Sequence, residues 1–391
     1  MNLKIAYISD ERFPSVHTDT QQVMKTIDAL GRQGAIVDFI QPRMARHVTL
    51  PAAARKRQIC EYYNVEGNFN IKDILLWPAS DLRIEKFTHG IAAPLKARLG
   101  KYDVVYTRNI LPLLIAAGLR APVLFETYRA LPNTDPWAWK MVKRAIPSKR
   151  FVGISTHSEY SRQVMIDAGV APDMIQAIPN GFDPRDFAAL PDKQRTREKL
   201  QFTPDQKIIC YTGHIREDKG VHSLLDLAEE CPDIITLIVG GNDTEVSALD
   251  TVVKQRSLKN VRLVPQVPIK SVPEYLAVAD VLVLPPSSIP LQRATVLPMK
   301  TFTYLASGRP ILAPNLPDTK GVLENGRNCV TVEPDVPSKA AAALKQLIAQ
   351  PDYAMQLANQ AREDAKKFTW DGRARNLISF LERRLQKANP S

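Results

Sequence analysis

The sequence is poor in the residues and spacings that hold metal ions or cross-link a chain. Its four cysteines, Cys60, Cys210, Cys231 and Cys329, lie far apart and form no C-x-x-C pair, so we expect buried thiols instead of disulfides or a zinc site. No two of the six histidines have H-x3-H spacing, and no D-x-D triplet occurs. A metal held by a local motif is therefore not expected, although ligands scattered along the chain stay open.

Long apolar runs are also missing. No stretch approaches the roughly 20 apolar residues that cross a bilayer. The first residues, MNLKIAYISDERF, become charged after a short apolar run, which predicts a first strand and not a secretory signal. With 45% hydrophobic and 24% charged residues among 391, the composition is typical of a soluble protein long enough for two domains. We therefore expect a cytoplasmic protein.

Negative charge is scarcer than positive charge. The chain has 52 lysines and arginines against 41 acidic residues, and residues 43–57 and 136–150 each carry five cations and no anion. A helix over 137–146 would place a set of cations and neighbouring tryptophans together: Lys140, Lys143, Arg144, Trp137 and Trp139. Such a set is typical of a surface that binds anionic lipid at the inner face of a membrane, and a solvated face is the alternative. No nucleic-acid-binding pattern is present, so nucleic acid is not an expected partner.

The order of patterns along the chain predicts two α/β domains. In the first half, short runs such as LKIAYIS and PVLFET alternate with helical patterns such as TQQVMKTIDALGRQG. Runs without polar alternation suit parallel strands that are covered on both faces. Residues 175–200 are rich in turn-forming residues and predict a linker. A second alternation follows, with strands such as KIICYTG and ITLIVGG and a set of predicted helices: 221–231, 244–257, 271–279 and 298–307.

The loop GHIREDKG, residues 213–220, joins a predicted strand to a predicted helix. Free backbone N–H groups and the positive end of the helix dipole favour an anion at such a place. Gly213 and Gly220 allow close approach of the backbone, and Arg216 and Lys219 can donate charge-assisted hydrogen bonds. The spacing is not that of a Walker A motif, which disfavours a P-loop ATPase. The sequence predicts a phosphate site here, with a solvated loop as the alternative.

Several segments, taken in order, resemble the family-4 retaining glycosyltransferases of the GT-B architecture. They are YDVVYTR (102–108), VLFETYR (123–129), VGIS (152–155), IPNGFDPRDF (178–187), YTGHIREDKG (211–220), ADVLVLPPSSIPLQRATVLPMKTFTYLASGRPILAPN (279–315) and GVLENGRNCVTVEPD (321–335). The resemblance implies an α/β GT-B fold, in which two Rossmann-like doubly wound domains face each other across a cleft. Residues 1–186 would bind the acceptor, 187–368 would bind the sugar nucleotide, and 369–391 would form a helix that returns to the first domain.

The resemblance also implies a reaction and its residues. The donor would be a UDP- or GDP-sugar, the acceptor a glycan or a lipid-linked glycan, and no cofactor or metal would be needed. Transfer would retain the anomeric configuration, with a donor phosphate oxygen taking the acceptor proton. The implied catalytic residues are Lys219, Arg216, Tyr128 and Glu126. The implied donor-binding residues are Gly213, His214, Lys219, Thr295, Met299, Lys300 and Thr303.

The chain departs from the family pattern at four of these positions. The two acids of the family's E-x7-E motif fall on Thr295 and Thr303, His214 replaces an arginine, and Tyr128 replaces a histidine. Two alternatives follow: an enzyme with an unusual donor, or a catalytically weakened homologue that acts as a binding or scaffolding subunit. A sugar-nucleotide epimerase or phosphorylase on the same architecture is a third. The identities of base, sugar and acceptor are not predicted.

Overall fold

The computed structural model describes residues 3–43, 50–75, 84–292 and 297–388. The chain divides into two compact units. The first unit contains residues up to Asn180 together with those from Trp370 onward, and the second runs from Gly181 to Thr369. The boundary predicted from sequence lies after residue 186, and the structural division falls after Asn180.

The first unit is built on a seven-stranded parallel sheet with strand order β3-β2-β1-β4-β5-β6-β7. Its strands are β1 (Lys4–Ile8), β2 (Ile36–Arg43), β3 (Asn70–Leu75), β4 (Val104–Thr107), β5 (Val123–Thr127), β6 (Phe151–Thr156) and β7 (Ile175–Ala177). Its helices up to Asn180 are α1 (Thr18–Arg32), α2 (Ala52–Tyr63), α3 (Glu85–Leu99), α4 (Ile110–Gly118), α5 (Leu131–Thr134), α6 (Pro136–Ala145) and α7 (Glu159–Asp167). The central strands are buried along their whole length, as expected for a sheet covered on both faces.

The second unit repeats this plan with a six-stranded parallel sheet of order β10-β9-β8-β11-β12-β13. Its strands are β8 (Lys207–Thr212), β9 (Ile234–Val239), β10 (Val261–Val264), β11 (Val281–Val283), β12 (Ile311–Pro314) and β13 (Val330–Val332). Its helices are α8 (Lys193–Lys199), α9 (His222–Glu230), α10 (Asp243–Gln255), α11 (Val272–Ala277), α12 (Ile289–Gln292), α13 (Lys300–Ala306), α14 (Pro337–Ala349) and α15 (Pro351–Ala365).

The last described helix, α16 (Trp370–Ala388), belongs to the first unit and packs against α1 and β6. The predicted return of this helix is therefore confirmed, as is the prediction of two Rossmann-like parallel sheets. One local prediction is wrong. Residues 175–177 begin the predicted linker, but they form β7, which pairs with β6 at the edge of the first sheet.

The strand order reverses between β1 and β4 in the first unit and between β8 and β11 in the second. Loops that leave the carboxyl ends of the strands on either side of such a reversal move apart and leave room for a ligand. The fold therefore places the loop that follows β8 and the loops that follow β1 and β4 at positions suited to binding. Among the described residues, no helix combines the length and apolar character needed to cross a bilayer.

Candidate active site

The loop after β8 has its shape because two glycines pack closely. Gly213 has φ +139°, and a Cβ atom there would lie 2.7 Å from Lys300 Nζ. Gly240, which follows β9, has φ +137°, and a Cβ atom there would lie 2.0 Å from the carbonyl oxygen of Gly213. Only glycine tolerates such contacts and such φ values. After Gly213 the chain makes a single 3-10 turn at Glu217–Lys219 and enters α9 through Gly220, at φ +70°.

Two cations of this loop share one carboxylate. Lys219 Nζ lies 3.0 Å from Asp218 Oδ2, and Arg216 Nε lies 3.0 Å from Asp218 Oδ1. Burial would raise the pKa of Asp218, but the hydrogen bonds from Lys219 and Arg216 outweigh it, and the pKa is lowered. The Lys219 side chain is 19% exposed, so it lies against the protein and does not extend into bulk water.

Lys300, at the start of α13, brings a third basic side chain to the same place. Its ammonium donates a hydrogen bond to the Tyr211 hydroxyl at 2.6 Å and lies 3.8 Å from the centre of the Tyr211 ring. Burial and the nearby Lys219 together place the pKa of Lys300 well below its ordinary value. Burial, and then the charges of Arg216, Lys300 and Lys219, also lower the pKa of His214. The structure thus concentrates positive charge around a glycine-bounded loop, an arrangement that suits a polyphosphate.

The remaining donor-binding candidates lie on or before α13. Met299 precedes Lys300 and is partly buried. The Thr303 hydroxyl donates to the Lys300 carbonyl at 2.8 Å, so it is occupied by its own helix. Thr295 lies outside the described residues. Of the seven candidates, the structure brings Gly213, His214, Lys219 and Lys300 together, with Met299 directly before α13 and Thr303 on it.

In the first unit, Glu126 is completely buried at the end of β5. Its carboxylate accepts hydrogen bonds from Gln22 (2.7 Å), His157 Nε2 (2.5 Å) and Arg373 (2.9 Å), and from the Tyr106 hydroxyl. Burial would raise the pKa of Glu126, but Arg373 and His157 outweigh it and lower the pKa. Glu126 is therefore a carboxylate held by protein donors, and its contact with a substrate stays a prediction.

Tyr128 lies two residues further on and lines a cavity of about 200 Å³. The guanidinium carbons of Arg108 and Arg129 lie 5.5 and 5.4 Å from the centre of its ring. The cavity is formed where β1, β4 and β5 end, and Glu126 is among its lining residues. Polar side chains such as Asp19 and Asn109 lie among the apolar residues of its lining, a mixture that suits a hydroxylated ligand, and Tyr128 is placed to contact one.

Sequence reasoning missed His157 and Arg373, the two partners that hold Glu126. His157 lies directly after β6, and burial lowers its pKa to about 4, so its ring is neutral at neutral pH. Arg373 lies on α16, 247 residues from Glu126 in sequence. No local sequence pattern predicts a contact between residues so far apart. An arginine within the apolar stripe of a helix does indicate that it has some buried partner.

The cationic surface of α6 is present, with one correction. Trp137 is 66% exposed, and Lys140, Lys143 and Arg144 are exposed beside it. Trp139 is only 9% exposed and packs in the apolar core of the first unit, so its assignment to the membrane-facing surface is wrong. Two residues apart on a helix means about 200° of rotation, which puts the two tryptophans on opposite sides.

Comparison with protein families assigns both halves of the chain. The family model described as Glycosyltransferase Family 4 matches residues 21–186, and the model described as Glycosyl transferases group 1 matches residues 192–364. The chain belongs to the family-4 glycosyltransferases. This membership explains why the family's motif order was recognisable in the sequence, and it agrees with two Rossmann-like sheets.

Individual relatives of this family-4 chain are distant. A D-inositol 3-phosphate glycosyltransferase of Jonesia denitrificans is 26% identical over 54% of this chain and 52% of its own length. A putative colanic acid biosynthesis glycosyl transferase, WcaI of Escherichia coli K12, is 26% identical over 51% of this chain and 50% of its own length. The chain spans about half the length of these curated relatives.

Solved structures match over nearly the whole chain. The crystal structure of Anabaena Alr3699/HepE in complex with UDP and glucose superposes with a TM-score of 0.72 at 18% identity, covering 97% of this chain and 99% of that chain. At this identity the likeness establishes the shared fold.

Proposed function

We propose that this family-4 chain is a glycosyltransferase that moves a sugar from a nucleoside-diphosphate sugar to a glycan or lipid-linked acceptor. The observation that carries the proposal is the meeting of Lys219, Arg216 and Lys300 at the Gly213–Gly220 loop. Two cations, Lys219 and Arg216, and a lysine that can take up a proton beside a bound anion, Lys300, form a site for a diphosphate at this glycine-bounded strand end.

The proposed chemistry is electrostatic. As the bond between sugar and diphosphate breaks, negative charge accumulates on the leaving group. Lys219 and Lys300 are already held in place by Asp218 and Tyr211, so they stabilise that charge with little reorganisation. The two lysines take the part that a metal ion plays in other transferases, and we propose metal-independent transfer. We further propose retention of anomeric configuration, with a donor phosphate oxygen accepting the proton of the acceptor.

UDP is the proposed nucleotide, and GDP is the alternative. HepE, which shares the fold, is named as a complex with UDP and glucose. For the acceptor, the cavity beside Tyr128 supplies a hydroxyl, amide and carboxylate lining that suits a sugar. The name of WcaI, a colanic acid biosynthesis transferase, supports a role in cell-surface polysaccharide or glycolipid synthesis. The exposed cations of α6 support work at the inner face of an anionic membrane.

The test is to measure by calorimetry how tightly a Lys219→Ala variant binds UDP. Loss of one charge-assisted hydrogen bond of about 1.5–3 kcal/mol predicts UDP binding about 10- to 150-fold weaker. Lys254→Ala is the matched control, since Lys254 also pairs with an aspartate, Asp250 at 2.5 Å, on an exposed helix of the same unit. Equal UDP affinity in the wild type and the Lys219→Ala variant would remove Lys219 from the site.

The second candidate function is a binding subunit without turnover. It is favoured by the substitutions at Tyr128 and Thr303, because the Thr303 hydroxyl is engaged by its own helix. Release of UDP from UDP-sugars in the presence of glycan extract distinguishes the two, since only a transferase needs both components. Release of UDP without any acceptor, together with an altered sugar, would identify an epimerase instead.

A further inference from the structure

An exposed row of large apolar side chains runs along helix α3. Phe87, Ile91, Leu95 and Leu99 follow one another at intervals of four and are 67%, 47%, 45% and 84% exposed. Residues four apart lie on the same side of a helix, so the four form one continuous row, which we call the α3 stripe. Single exposed apolar residues are common on protein surfaces, but a continuous row marks an interaction surface.

The α3 stripe belongs to a layer of three helices. The buried faces of α3, α4 and α6 pack into one apolar core on the same side of the first sheet. Their opposite faces are therefore directed outward together. The middle helix, α4, carries no charged residue between Ile110 and Gly118, so α4 itself places no charge between the α3 stripe and the exposed face of α6. Trp137, Lys140, Lys143 and Arg144 lie on that face.

The charge of this part of the chain is strongly one-sided. Between Lys86 and Ser158 there are twelve lysines and arginines but only three acidic residues. The acids have partners within the protein: Glu126 is buried, Asp135 caps α6, and Asp103 accepts from the backbone N–H of Lys4. At the end of the α3 stripe the cations are exposed at Lys96, Arg98 and Lys101.

We propose that the outer face of α3, α4 and α6 binds an anionic lipid bilayer, with the α3 stripe inserted among the lipid chains and the cations at the headgroups. An apolar row bordered by cations and tryptophan matches the two layers of a bilayer surface. A second copy of the chain is the less suitable occupant, because a two-fold contact would bring the same cations together. The proposal rests on the proposed membrane role of α6 and adds the part that enters the membrane.

The first experiment is flotation with vesicles made of equal parts phosphatidylcholine and phosphatidylglycerol. The Phe87→Ser/Leu95→Ser variant should bind roughly tenfold or more weakly, because two exposed apolar side chains no longer leave water on binding. Met355→Ser is the matched control, since Met355 is 48% exposed on a helix of the second unit, and it should bind like the wild type. Added salt should weaken wild-type binding only in part, because salt screens the cations and leaves the stripe intact.

A second experiment measures insertion directly. In a Cys60→Ser background, Leu99→Cys is labelled with an environment-sensitive fluorophore; the other three cysteines are buried. The emission should shift to the blue when vesicles are added, and a label at Met355→Cys should not shift. Unchanged flotation of the serine variant, or no shift at position 99, would overturn the proposal. So would sedimentation showing a lipid-independent dimer that the serine variant loses.

Nucleotide binding separates this proposal from the proposed function. The serine variant should bind UDP with wild-type affinity, because the α3 stripe lies in the first unit and the cationic loop in the second. Weak flotation with normal UDP binding supports the bilayer surface. Normal flotation together with normal UDP binding rejects the surface and leaves the proposed transferase intact.

Discussion

The lowered pKa of Lys300 has a direct consequence for ligand binding. Its side-chain nitrogen is held against Tyr211 and near Lys219, where burial and like charge favour the neutral amine. A bound diphosphate would favour the charged form and raise this pKa again. The protein should therefore take up a proton when a UDP-sugar binds, and affinity should increase as pH falls.

The size of the effect is bounded by one proton. Between the pKa of Lys300 in the free protein and its value in the complex, affinity should change by up to about tenfold per pH unit, or about 1.4 kcal/mol. Replacement by methionine removes the charge and should weaken binding by about 1.5–3 kcal/mol. The same replacement should stabilise the protein without ligand, because the folded chain no longer has to bury this lysine as a cation or release its proton. The Lys300→Met variant should therefore be more stable than the wild type and bind the UDP-sugar more weakly.

Calorimetry with a UDP-sugar is the assay, because its doubly esterified diphosphate does not titrate near neutral pH. Titrations from neutral pH to about pH 9.5, below the ordinary lysine pKa of about 10.4, should show the slope in the wild type. Lys300→Arg keeps the charge but does not deprotonate, so its affinity should not follow pH. Identical slopes for the wild type and Lys300→Arg, or full affinity in Lys300→Met, would refute the reasoning.

Three further predictions concern the supports of the two sites. Arg373→Met leaves the buried Glu126 carboxylate without its cation, and urea unfolding should show a loss of about 3–5 kcal/mol that adding Glu126→Gln partly restores. Gly240→Ala would place a Cβ atom 2.0 Å from the Gly213 carbonyl, so UDP affinity should fall even though no ligand-contacting group changes. Burial lowers the pKa of His89 from 6.5 to about 4, so the unfolded chain binds a proton at this histidine first as pH drops. His89 alone should therefore lower the stability by about 3 kcal/mol through this window, in addition to the loss caused by the buried His157. His89→Leu should remove the His89 contribution and leave that of His157.

The fold was predictable because its signals are local. Short buried runs recur between amphipathic helices, and several helix limits are close to those predicted. The predicted helix 244–257 is Asp243–Gln255, which begins with a capping box between Asn242 and Glu245. The strand β7 was missed because three residues inside a turn-rich segment carry no periodicity. Hydrogen bonding to β6 makes this segment a strand, and the local sequence does not indicate that pairing.

The residues of the candidate site were likewise predictable only where they are close together in the sequence. Gly213, Arg216 and Lys219 are neighbours in sequence, so the loop and its charge were visible together. The hydrogen bond from Arg373 to Glu126 was not predictable, because the whole second unit lies between these two residues in the sequence. A carboxylate at a strand end suggests a substrate contact until the buried cation that holds it is known.

The return of α16 to the first unit also sets an order of assembly during translation. A ribosome must synthesise the second unit before Arg373 emerges. Until then, the Glu126 carboxylate of the nascent chain lacks the Arg373 guanidinium that pairs with it in the folded protein. The unit whose synthesis starts first is thus completed last, and its nascent form is the one that needs protection from aggregation or proteolysis. A ribosome stalled before Trp370 would leave behind a closed second unit attached to an unfinished first one.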